Sequence, residues 1–403
     1  MAAASWQAAF AMSRRCTHSS LISIQVLNMN EISHANWRRL YPAELYEHAN
    51  WLRHLGPSID RDPQSMLSHL DHPLIRILCD RRPITAAQRV RMFEALSYGD
   101  PGTLLSAPGT GLPGVIVREL GAKTQQDVFF DHVECGKART FLAVTEPGKG
   151  SDAGAMTASL DREGRLHGEK WLVGHAATGS IGVVMVRTGP GPLSLGAVLL
   201  TPDDLREGPT LRRQSLSTVG LRGTTLGYMA FDGHPVDAKA LLGAHLHPLQ
   251  RGMMALIRTF SRFRPTVAAL ALGHAQAMVD FARERVTQRG HAATQLDDWC
   301  AQLAATRRLV HLAADEVDRD ADAAWHVPLC KVTATQLCEH IADRVPSLIG
   351  TAALLEHPWL EKAVRDARAF EFMEGTTNIH LDNAGAHLAR RRKLATAQVA
   401  TLA

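Results

Sequence analysis

The spacing of hydrophobic and polar residues changes twice along the chain. A helical period covers residues 31–138, short alternating or β-branched runs cover 139–244, and the helical period returns over 245–395. We therefore predict an N-terminal α-helical domain, a central β-domain and a C-terminal α-helical domain with these boundaries. We interpret residues 1–30 as a disordered tail or a misassigned start, and residues 396–403 as a second tail.

Individual segments carry this pattern. Helical spacing of apolar residues marks 43–55, 85–96, 253–289, 297–318, 328–342, 360–372 and 378–392. Strand-like runs mark 165–173, 181–188, 196–201 and 225–231. The strands are grouped rather than alternating with helices, and no G-x-G-x-x-G motif follows a strand. The order therefore predicts an α+β fold with a mostly antiparallel sheet, and it argues against a Rossmann unit.

Composition is typical of a soluble enzyme rather than of a nucleic-acid-binding or membrane protein. Of the 403 residues, 45% are hydrophobic and 21% are charged, and the formal net charge is +4. The excess of basic residues lies at the two ends, in Arg14 and Arg15 and in the run from Arg390 to Lys393. We therefore expect no nucleic-acid partner, which would require a basic face. No apolar run approaches the roughly 18 residues of a membrane helix, so no membrane span is expected.

The cysteines and histidines suggest no further chemistry. The six cysteines have no C-x-x-C spacing, which predicts reduced thiols and a cytoplasmic location. The 20 histidines show no paired spacing with acids or cysteines, so no metal site is predicted. No G-x-S-x-G motif supports serine hydrolysis.

One candidate ligand-binding loop is the octapeptide Thr-Glu-Pro-Gly-Lys-Gly-Ser-Asp, which begins at Thr145 and links two strand-like runs. Gly148 and Gly150 allow backbone N–H groups to approach a ligand, Thr145 and Ser151 supply hydroxyl donors, and Asp152 can brace the turn. Such a loop suits a flat, oxygen-rich ligand or a phosphate. The alternative is a simple Gly-Ser-Asp turn without a ligand.

A second candidate stretch is Glu374-Gly-Thr-Thr377. A glutamate in apolar surroundings has a raised pKa and suits proton abstraction near neutral pH. The neighbours predicted to provide those surroundings are Phe370, Phe372 and Met373. The alternative is that Glu374 merely precedes the last helix, with Thr376 or Thr377 as its N-cap.

Both stretches occur in a collinear series with Gly168-Glu-Lys-Trp171, Val219-Gly-Leu-Arg222 and Arg365-Asp-Ala367. From about residue 85 to residue 392, the chain resembles the acyl-CoA dehydrogenase family. The resemblance implies the predicted fold, with a C-terminal four-helix bundle. It also implies FAD as cofactor, an acyl thioester as substrate, a flavoprotein or oxygen as electron acceptor, and a homodimer or homotetramer.

The resemblance also assigns roles to residues. Glu374 is implied to remove the α-proton while a β-hydride passes to flavin N5, which gives a 2,3-enoyl thioester. The enolate donors would be the backbone N–H of Glu374 and a ribityl hydroxyl of FAD. The other implied cofactor contacts are Thr145, Gly150, Ser151, Trp171 and Thr376, and the implied substrate contacts are Arg264 and Gly375. The alternatives are a Trp171 that fills the β-domain core and an Arg264 at the surface.

Several positions depart from the family pattern. Val173 replaces a small hydroxyl residue that would reach flavin N5, and Ser261 replaces an aspartate used in CoA recognition. Arg285-Val-Thr-Gln-Arg-Gly290 replaces Arg-x-x-Phe-Gly, which the family uses to hold FAD across a subunit boundary. Arg285 and Arg289 remain candidates for a pyrophosphate. A later Gln-x-x-Gly-Gly motif is lost at residues 347–351.

These departures leave several functions open. The acyl group is carried by CoA or by an acyl carrier protein, and Ser261 favours the carrier protein, as in a specialised member of the family. A flavin oxidase or monooxygenase, or an oxidase of hydroxyacyl carriers, uses the same fold. A non-catalytic scaffold with a decayed FAD site is the third alternative. The sequence does not fix the acyl chain.

Overall fold

The computed structural model describes residues 31–402 except 151, 192, 287–289, 322–326 and 351, and it describes only the backbone from residue 390 onward. The predicted tail 1–30 and the predicted contacts of Ser151 and Arg289 lie outside the described residues. The last helix continues to Leu402, beyond the predicted domain end at residue 395.

Thirteen α-helices and eight strands are present in the described residues. The helices are α1 His34–Arg38, α2 Tyr46–Arg61, α3 Pro73–Cys79, α4 Ala86–Gly99, α5 Pro101–Ser106, α6 Gly111–Leu120, α7 Lys123–Glu134, α8 Met253–Arg283, α9 His291–Arg319, α10 Val327–Ile349, α11 Ala353–Glu356, α12 Pro358–Ala367 and α13 Thr377–Leu402. The strands are β1 Thr140–Ala143, β2 Ser159–Leu160, β3 Arg165–Val173, β4 Ile181–Arg187, β5 Leu195–Leu200, β6 Leu211–Ser215, β7 Gly227–Pro235 and β8 Leu241–Leu242. This order of helices, strands and helices confirms the predicted α+β class.

The strands form one mixed sheet in the order β6-β7-β3-β2-β4-β5-β8, with β1 paired to β4. All pairs are antiparallel except β1 with β4 and β2 with β4, so the sheet is mostly antiparallel as predicted. Strands β4 and β5 are buried along almost their whole length, which agrees with their runs of apolar residues. Strand β6 was not predicted because its sequence, Leu-Arg-Arg-Gln-Ser, suits a mostly exposed edge strand.

Helix α8 organises the molecule. Its residues 265–282 are all buried, in a stretch rich in alanine and leucine. At Gly273 a Cβ atom would lie 2.0 Å from the carbonyl oxygen of Glu94, so glycine allows α8 to pack closely on α4. The largest hydrophobic core includes Leu96 and Leu270 as well as Trp299. The N-terminal and C-terminal helices therefore share one core.

A buried ion triad fixes the segment that leads to residue 374. Lys362 Nζ donates to both carboxylate oxygens of Asp100 at 2.8 Å and to Asp366 at 2.5 Å. Asp366 in turn accepts the N–H of Leu221 at 2.7 Å. The Arg365-Asp-Ala367 motif thus joins α12 to the start of α5 and to the segment between β6 and β7.

Within the described ranges, no helix is both long enough and apolar enough to cross a bilayer.

Candidate active site

Glu374 lies in a short loop between a 3-10 turn that follows α12 and the start of α13. Its φ is 54°, a left-handed conformation that is uncommon for a side chain larger than glycine, and Gly375 follows with φ 102°. The carboxylate of Glu371 accepts the backbone N–H and the hydroxyl of Thr377, both at 2.7 Å. Glu371 therefore provides the cap at the start of α13. Because α13 begins at Thr377, Thr376 occupies its N-cap position, while the side chain that accepts the first-turn N–H is that of Glu371.

Lys331 stabilises the backbone of the loop that carries Glu374. It is fully buried on α10, and its Nζ donates to the carbonyl oxygens of Glu371 at 2.7 Å and Gly375 at 2.8 Å. Burial lowers the pKa of Lys331 to about 8. Sequence reasoning missed this residue. The available signal was a lysine beside Cys330 on the apolar face of a helical stretch, where a charge needs a specific partner.

Arg264 approaches the loop from α8. Its Nε donates to the carbonyl oxygen of Glu374 at 3.2 Å, and its guanidinium lies 5.6 Å from the centre of the Phe260 ring. The side chain is half-buried. The alternative of a surface arginine is therefore wrong, and Arg264 contacts the backbone of Glu374, another residue predicted to be in the site.

The Glu374 carboxyl group has an unusual environment. Its Oε2 atom is buried and has no hydrogen-bond partner among the described residues. Burial raises the pKa of Glu374 to about 8, although the charges of Arg264, Lys331 and Arg89 oppose the shift.

The raised pKa agrees in direction with the sequence-based prediction, but one predicted cause is wrong. Phe370 is buried, whereas Phe372 is 71% exposed and cannot shield the carboxylate of Glu374.

His380 packs against the other side of the loop. A Cβ atom on Gly375 would lie 2.9 Å from its Cε1 atom, and the backbone N–H of His380 donates to the carbonyl oxygen of Thr376 at 3.2 Å. Both ring nitrogens are buried and lack a hydrogen-bond partner among the described residues. Burial, together with the charges of Arg264 and Lys331, lowers the pKa of His380 to about 3. The ring is therefore neutral at physiological pH.

The loop that begins at Thr145 is braced by a buried ion pair that sequence reasoning also missed. Glu146 Oε1 accepts from Lys170 Nζ at 2.8 Å, and Lys170 is fully buried. The two Glu146 oxygens also accept from Thr157 N and Oγ1 at 2.6 and 2.8 Å and from Ala158 N at 2.9 Å. Burial alone would raise the pKa of Glu146, but these hydrogen bonds lower it to about 2. Asp152 braces the turn as predicted, because its Oδ1 accepts a hydrogen bond from the backbone N–H of Ala155 at 3.2 Å.

The outer part of this loop is open. A Cβ atom on Gly148 would meet nothing within 4 Å, and one on Gly150 would meet only Thr145 Cγ2 at 3.8 Å. The carbonyl of Thr145 accepts the N–H of Trp171 at 2.8 Å. The hydroxyl of Thr145 and the N–H groups of Gly148 and Gly150 have no partner in the described part of the chain. These polar groups are available to a ligand.

Trp171 and Val173 on β3 differ in placement. Trp171 is half-buried, its ring stacks on Tyr228 at 5.7 Å, and its indole N–H donates to Glu169 at 3.3 Å. The alternative of a core tryptophan is therefore wrong. Val173 is 1% exposed and packs within the sheet core. Between Lys170 and Val173 the register of the pairing between β3 and β7 shifts, as at a β-bulge. The predicted proximity of Val173 to a flavin stays a prediction.

Both loops lie next to the first half of α8. Val144 and Ala153, which flank the first loop, pack against the hydrophobic cluster that also contacts Phe260. Arg264 follows Phe260 by one helical turn, lies over its ring and bonds to Glu374. The contact between Arg264 and Glu374, and the end of the first loop where a Cβ atom on Gly154 would lie 3.8 Å from Met253 Cε, are therefore both next to α8.

Arg285 is not part of this region within a single chain. It follows Arg264 by 21 residues, and α8 connects them, so about 30 Å separates the two positions at 1.5 Å per residue. Its guanidinium lies 3.5 Å from the centre of the Phe281 ring and bonds to Glu284 at 3.4 Å. The structure therefore separates Arg285 from the contact between Arg264 and Glu374.

The residues that the structure describes include no group of three or more histidine, cysteine or acidic side chains arranged to hold a metal ion.

Two family models match the chain. The acyl-CoA dehydrogenase middle domain matches residues 142–234, and the acyl-CoA dehydrogenase C-terminal domain matches residues 250–389. Together they cover more than half of the chain, including both loops and Arg264.

Individual relatives are distant. Human mitochondrial short-chain specific acyl-CoA dehydrogenase is 26% identical over 313 residues, which are 74% of each chain. Subunit CarC of the caffeyl-CoA reductase-Etf complex from Acetobacterium woodii is 24% identical, over 70% of this chain and 76% of that protein. Among solved structures, an FAD complex of PigA is similar with a TM-score of 0.72 and 18% identity, over 90% of this chain and 99% of that one. The chain therefore belongs to the acyl-CoA dehydrogenase family, whose members are FAD-dependent oxidoreductases that act on CH–CH bonds.

Proposed function

We propose that this protein binds FAD and oxidises the α,β carbon–carbon bond of an acyl thioester, with Glu374 as the base. The observation that carries the proposal is the Glu374 carboxyl group, which is buried, free of hydrogen bonds at Oε2 and raised in pKa to about 8. A base works best when its pKa lies near the operating pH. Ordinary surface glutamates have a pKa near 4.3.

The residues around the first loop fit FAD. The loop offers unpartnered N–H groups at Gly148 and Gly150 and an unpartnered hydroxyl at Thr145, and space lies beyond both glycines. Such groups suit the oxygen-rich side of a flavin nucleotide. Trp171 presents a half-buried ring that can contact a flat ligand. Bound FAD supplies a two-electron acceptor for the hydride that leaves the β-carbon.

The base loop can support proton removal. The α-proton of a thioester is a weak acid, so the negative charge on the enolate oxygen must be stabilised as it develops. The backbone N–H of Glu374 has no partner in the described part of the chain, which leaves it free to donate to that oxygen. Lys331 and Arg264 fix the backbone of the loop through its carbonyl groups, and their charges favour an anion nearby. Thr376 and Gly375 remain proposed contacts of cofactor and substrate.

The test is anaerobic spectroscopy of the protein purified with FAD. We expect an acyl thioester to bleach the oxidised flavin in the wild-type protein. In Glu374→Gln, which retains size and polarity, we expect FAD to stay bound and the rate of bleaching to fall by about 10²- to 10⁴-fold. Equal bleaching rates in the two proteins would contradict the role of Glu374. A flavin that no thioester bleaches would favour an oxidase or monooxygenase of another substrate.

The same experiment addresses the carrier and the direction of the reaction. Ser261 at the position of a CoA-recognising aspartate favours a carrier-protein thioester, and equal or faster bleaching by acyl-CoA would contradict that proposal.

The similarity to a caffeyl-CoA reductase subunit favours, as a second candidate, reduction of an enoyl thioester by the same residues. In that case an enoyl thioester would reoxidise the reduced flavin faster than a saturated thioester bleaches the oxidised flavin.

The proposed partners are a second copy of this chain and an electron acceptor. Arg285 lies too far from Glu374 to serve the same flavin, so a role in FAD binding requires a homodimer or homotetramer. An electron-transferring flavoprotein is the proposed acceptor because the similar CarC subunit belongs to an Etf complex. Rapid oxygen consumption by the reduced protein would instead identify oxygen as acceptor.

A further inference from the structure

His380 is a buried titratable side chain beside the loop that carries Glu374, and the proposed function does not use it. It is the fourth residue of α13 and is fully buried. Neither ring nitrogen has a hydrogen-bond partner in the described part of the chain, and a pKa of about 3 keeps the ring neutral at physiological pH. A neutral ring without hydrogen bonds acts on its neighbours through packing. Its contribution to the loop therefore depends on where its atoms lie.

One edge of the His380 ring lies against Gly375. A Cβ atom on Gly375 would lie 2.9 Å from Cε1, 3.2 Å from Nε2 and 3.7 Å from Nδ1, which are the three atoms of that edge. A separation of 2.9 Å is too short for two carbon atoms, so glycine is what allows the ring to lie this close to the backbone. Residue 375 and the ring therefore limit each other's position.

This contact joins two positions that fix how a chain enters a helix. Gly375 directly precedes the N-cap residue Thr376, and His380 is the fourth residue of the helix. Packing between these two positions sets the angle of the incoming chain. The backbone N–H of His380 donates to the carbonyl oxygen of Thr376 at 3.2 Å, which closes the turn beside the ring. Because Glu374 lies one residue before Gly375, its direction depends on that angle.

The two cations that support this loop act on its oxygen atoms. Arg264 donates to the carbonyl oxygen of Glu374 at 3.2 Å, and Lys331 donates to that of Gly375 at 2.8 Å. Hydrogen bonds to a carbonyl oxygen tolerate a broad range of directions, so these bonds leave the peptide groups some freedom to tilt. The same two carbonyl groups partly oppose the fall in the pKa of His380, which shows that they lie close to its ring. The ring edge supplies a contact that limits the tilt.

From this geometry we propose that His380 is a positioning residue that aims the Glu374 carboxylate at the α-carbon of the thioester. The inference rests on the proposed dehydrogenase function, in which Glu374 removes the α-proton. The ring edge holds Gly375 at its φ of 102°, and Glu374 thereby keeps its φ of 54°. A displacement of a reacting group by about 1 Å can slow a reaction by about 10²-fold. His380 itself exchanges no proton with the substrate.

The test is single-turnover reduction of the flavin under anaerobic conditions by the acyl thioester, of CoA or of a carrier protein, that bleaches the wild-type protein fastest. It gives the limiting rate at saturating thioester and the thioester concentration that produces half this rate. The variants are His380→Ala and the pair His380→Gln and His380→Asn, which are both polar and differ in reach by one methylene group. The control is Leu303→Ala, which removes a buried side chain of α9 from the largest hydrophobic core.

In His380→Gln, whose amide reaches about as far as the imidazole, we expect the limiting rate to stay within about fivefold of the wild-type rate. In His380→Asn and His380→Ala, which no longer reach Gly375, it should fall by about 10- to 100-fold. The half-saturating concentration and the ratio of FAD to protein should change by less than about threefold, because in this account His380 contacts neither ligand. Leu303→Ala should lower the midpoint of thermal unfolding and leave the limiting rate within about threefold.

Equal limiting rates in His380→Gln and His380→Asn would overturn the inference and leave the dehydrogenase intact. This comparison decides the matter even where His380→Ala does not fold. A higher half-saturating concentration without a slower limiting rate would also overturn it, because it would indicate a role in substrate binding. So would an equal slowing in Leu303→Ala, which would indicate a general loss of stability. If no thioester reduced the wild-type flavin, the proposed function itself would fail, and this inference with it.

Discussion

The two loops of the candidate site are each supported by a buried lysine, but the lysines act differently. Lys170 forms an ion pair with Glu146, and every oxygen of that carboxylate is hydrogen-bonded. Lys331 binds the carbonyl oxygens of Glu371 and Gly375 and leaves the carboxylate of Glu374 unbonded at Oε2. A fully paired acid, with a pKa near 2, gives rigidity. An unpaired acid, with a pKa near 8, is available for proton transfer.

The largest expected effect on stability comes from breaking the ion pair between Lys170 and Glu146, which supports the first loop. Lys170→Met leaves Glu146 as a buried charge without its cation, and such losses cost about 3–5 kcal/mol of unfolding free energy. We also expect FAD to be lost during purification, because the loop from Thr145 loses its support. Urea denaturation and the ratio of flavin to protein absorbance measure the two effects.

The control for this prediction is Lys149→Met, which removes a lysine from the same loop that has no ion-pair partner in the described residues. It should change the free energy of unfolding by less than about 0.5 kcal/mol. If Lys170→Met were as stable as this control, the ion pair would not be what supports the loop.

A smaller effect on stability than that of Lys170→Met is expected at Lys331. Lys331→Met leaves two backbone carbonyls without their donor, which should cost about 2–3 kcal/mol of unfolding free energy. FAD should remain bound because the first loop is intact, whereas flavin reduction by a thioester should slow by about 10- to 100-fold as Glu374 loses its fixed position. Loss of FAD comparable to that in Lys170→Met would show that the two loops do not have separate supports.

Alanine substitutions at two glycines with positive φ should differ in their cost, and neither should exceed the effect of Lys331→Met on stability. Alanine at Gly375, where φ is 102° and the new Cβ would lie 2.9 Å from the His380 ring, should cost about 2–3 kcal/mol of stability. Alanine at Gly148, where φ is 72° and the new Cβ meets nothing within 4 Å, should cost only about 1 kcal/mol. Thermal unfolding measures both.

The double variant Gly375→Ala with His380→Ala should be less destabilised than the sum of the two single variants, because removing the ring relieves the close contact. If the stability losses of the two single variants simply added in the double variant, then backbone strain alone would explain why residue 375 requires glycine.

The sequence predicted the fold well because periodicity and turn residues report on local structure. It located helices α4, α8 and α9 and strands β3, β4 and β5 to within several residues at their ends. It missed β6, whose exposed, charged face has no strand-like alternation. The family resemblance named Glu374, Arg264 and the segment from Thr145 as site residues, and the structure shows a contact between Arg264 and Glu374.

The sequence could not predict contacts between distant segments. Lys331 and Glu371 act on backbone atoms of another element, and no spacing rule identifies such partners. Gly273 likewise allows α4 to approach α8 closely, and no spacing along the sequence indicates that contact. Phe372 was predicted to shield the base, but it ends the 3-10 turn Arg368–Phe372 with its side chain directed outward, where it is 71% exposed.

The most direct test of the central claim is the pH dependence of anaerobic flavin reduction. Because burial raises the pKa of Glu374 to about 8, the base is protonated and inactive at low pH, and the rate should rise with a midpoint near pH 8. In Lys331→Met the midpoint should move to higher pH, because the cation that favours the ionised carboxylate is gone. A midpoint near 4.5, or a profile unchanged by Lys331→Met, would contradict a buried, unpaired Glu374 as the base.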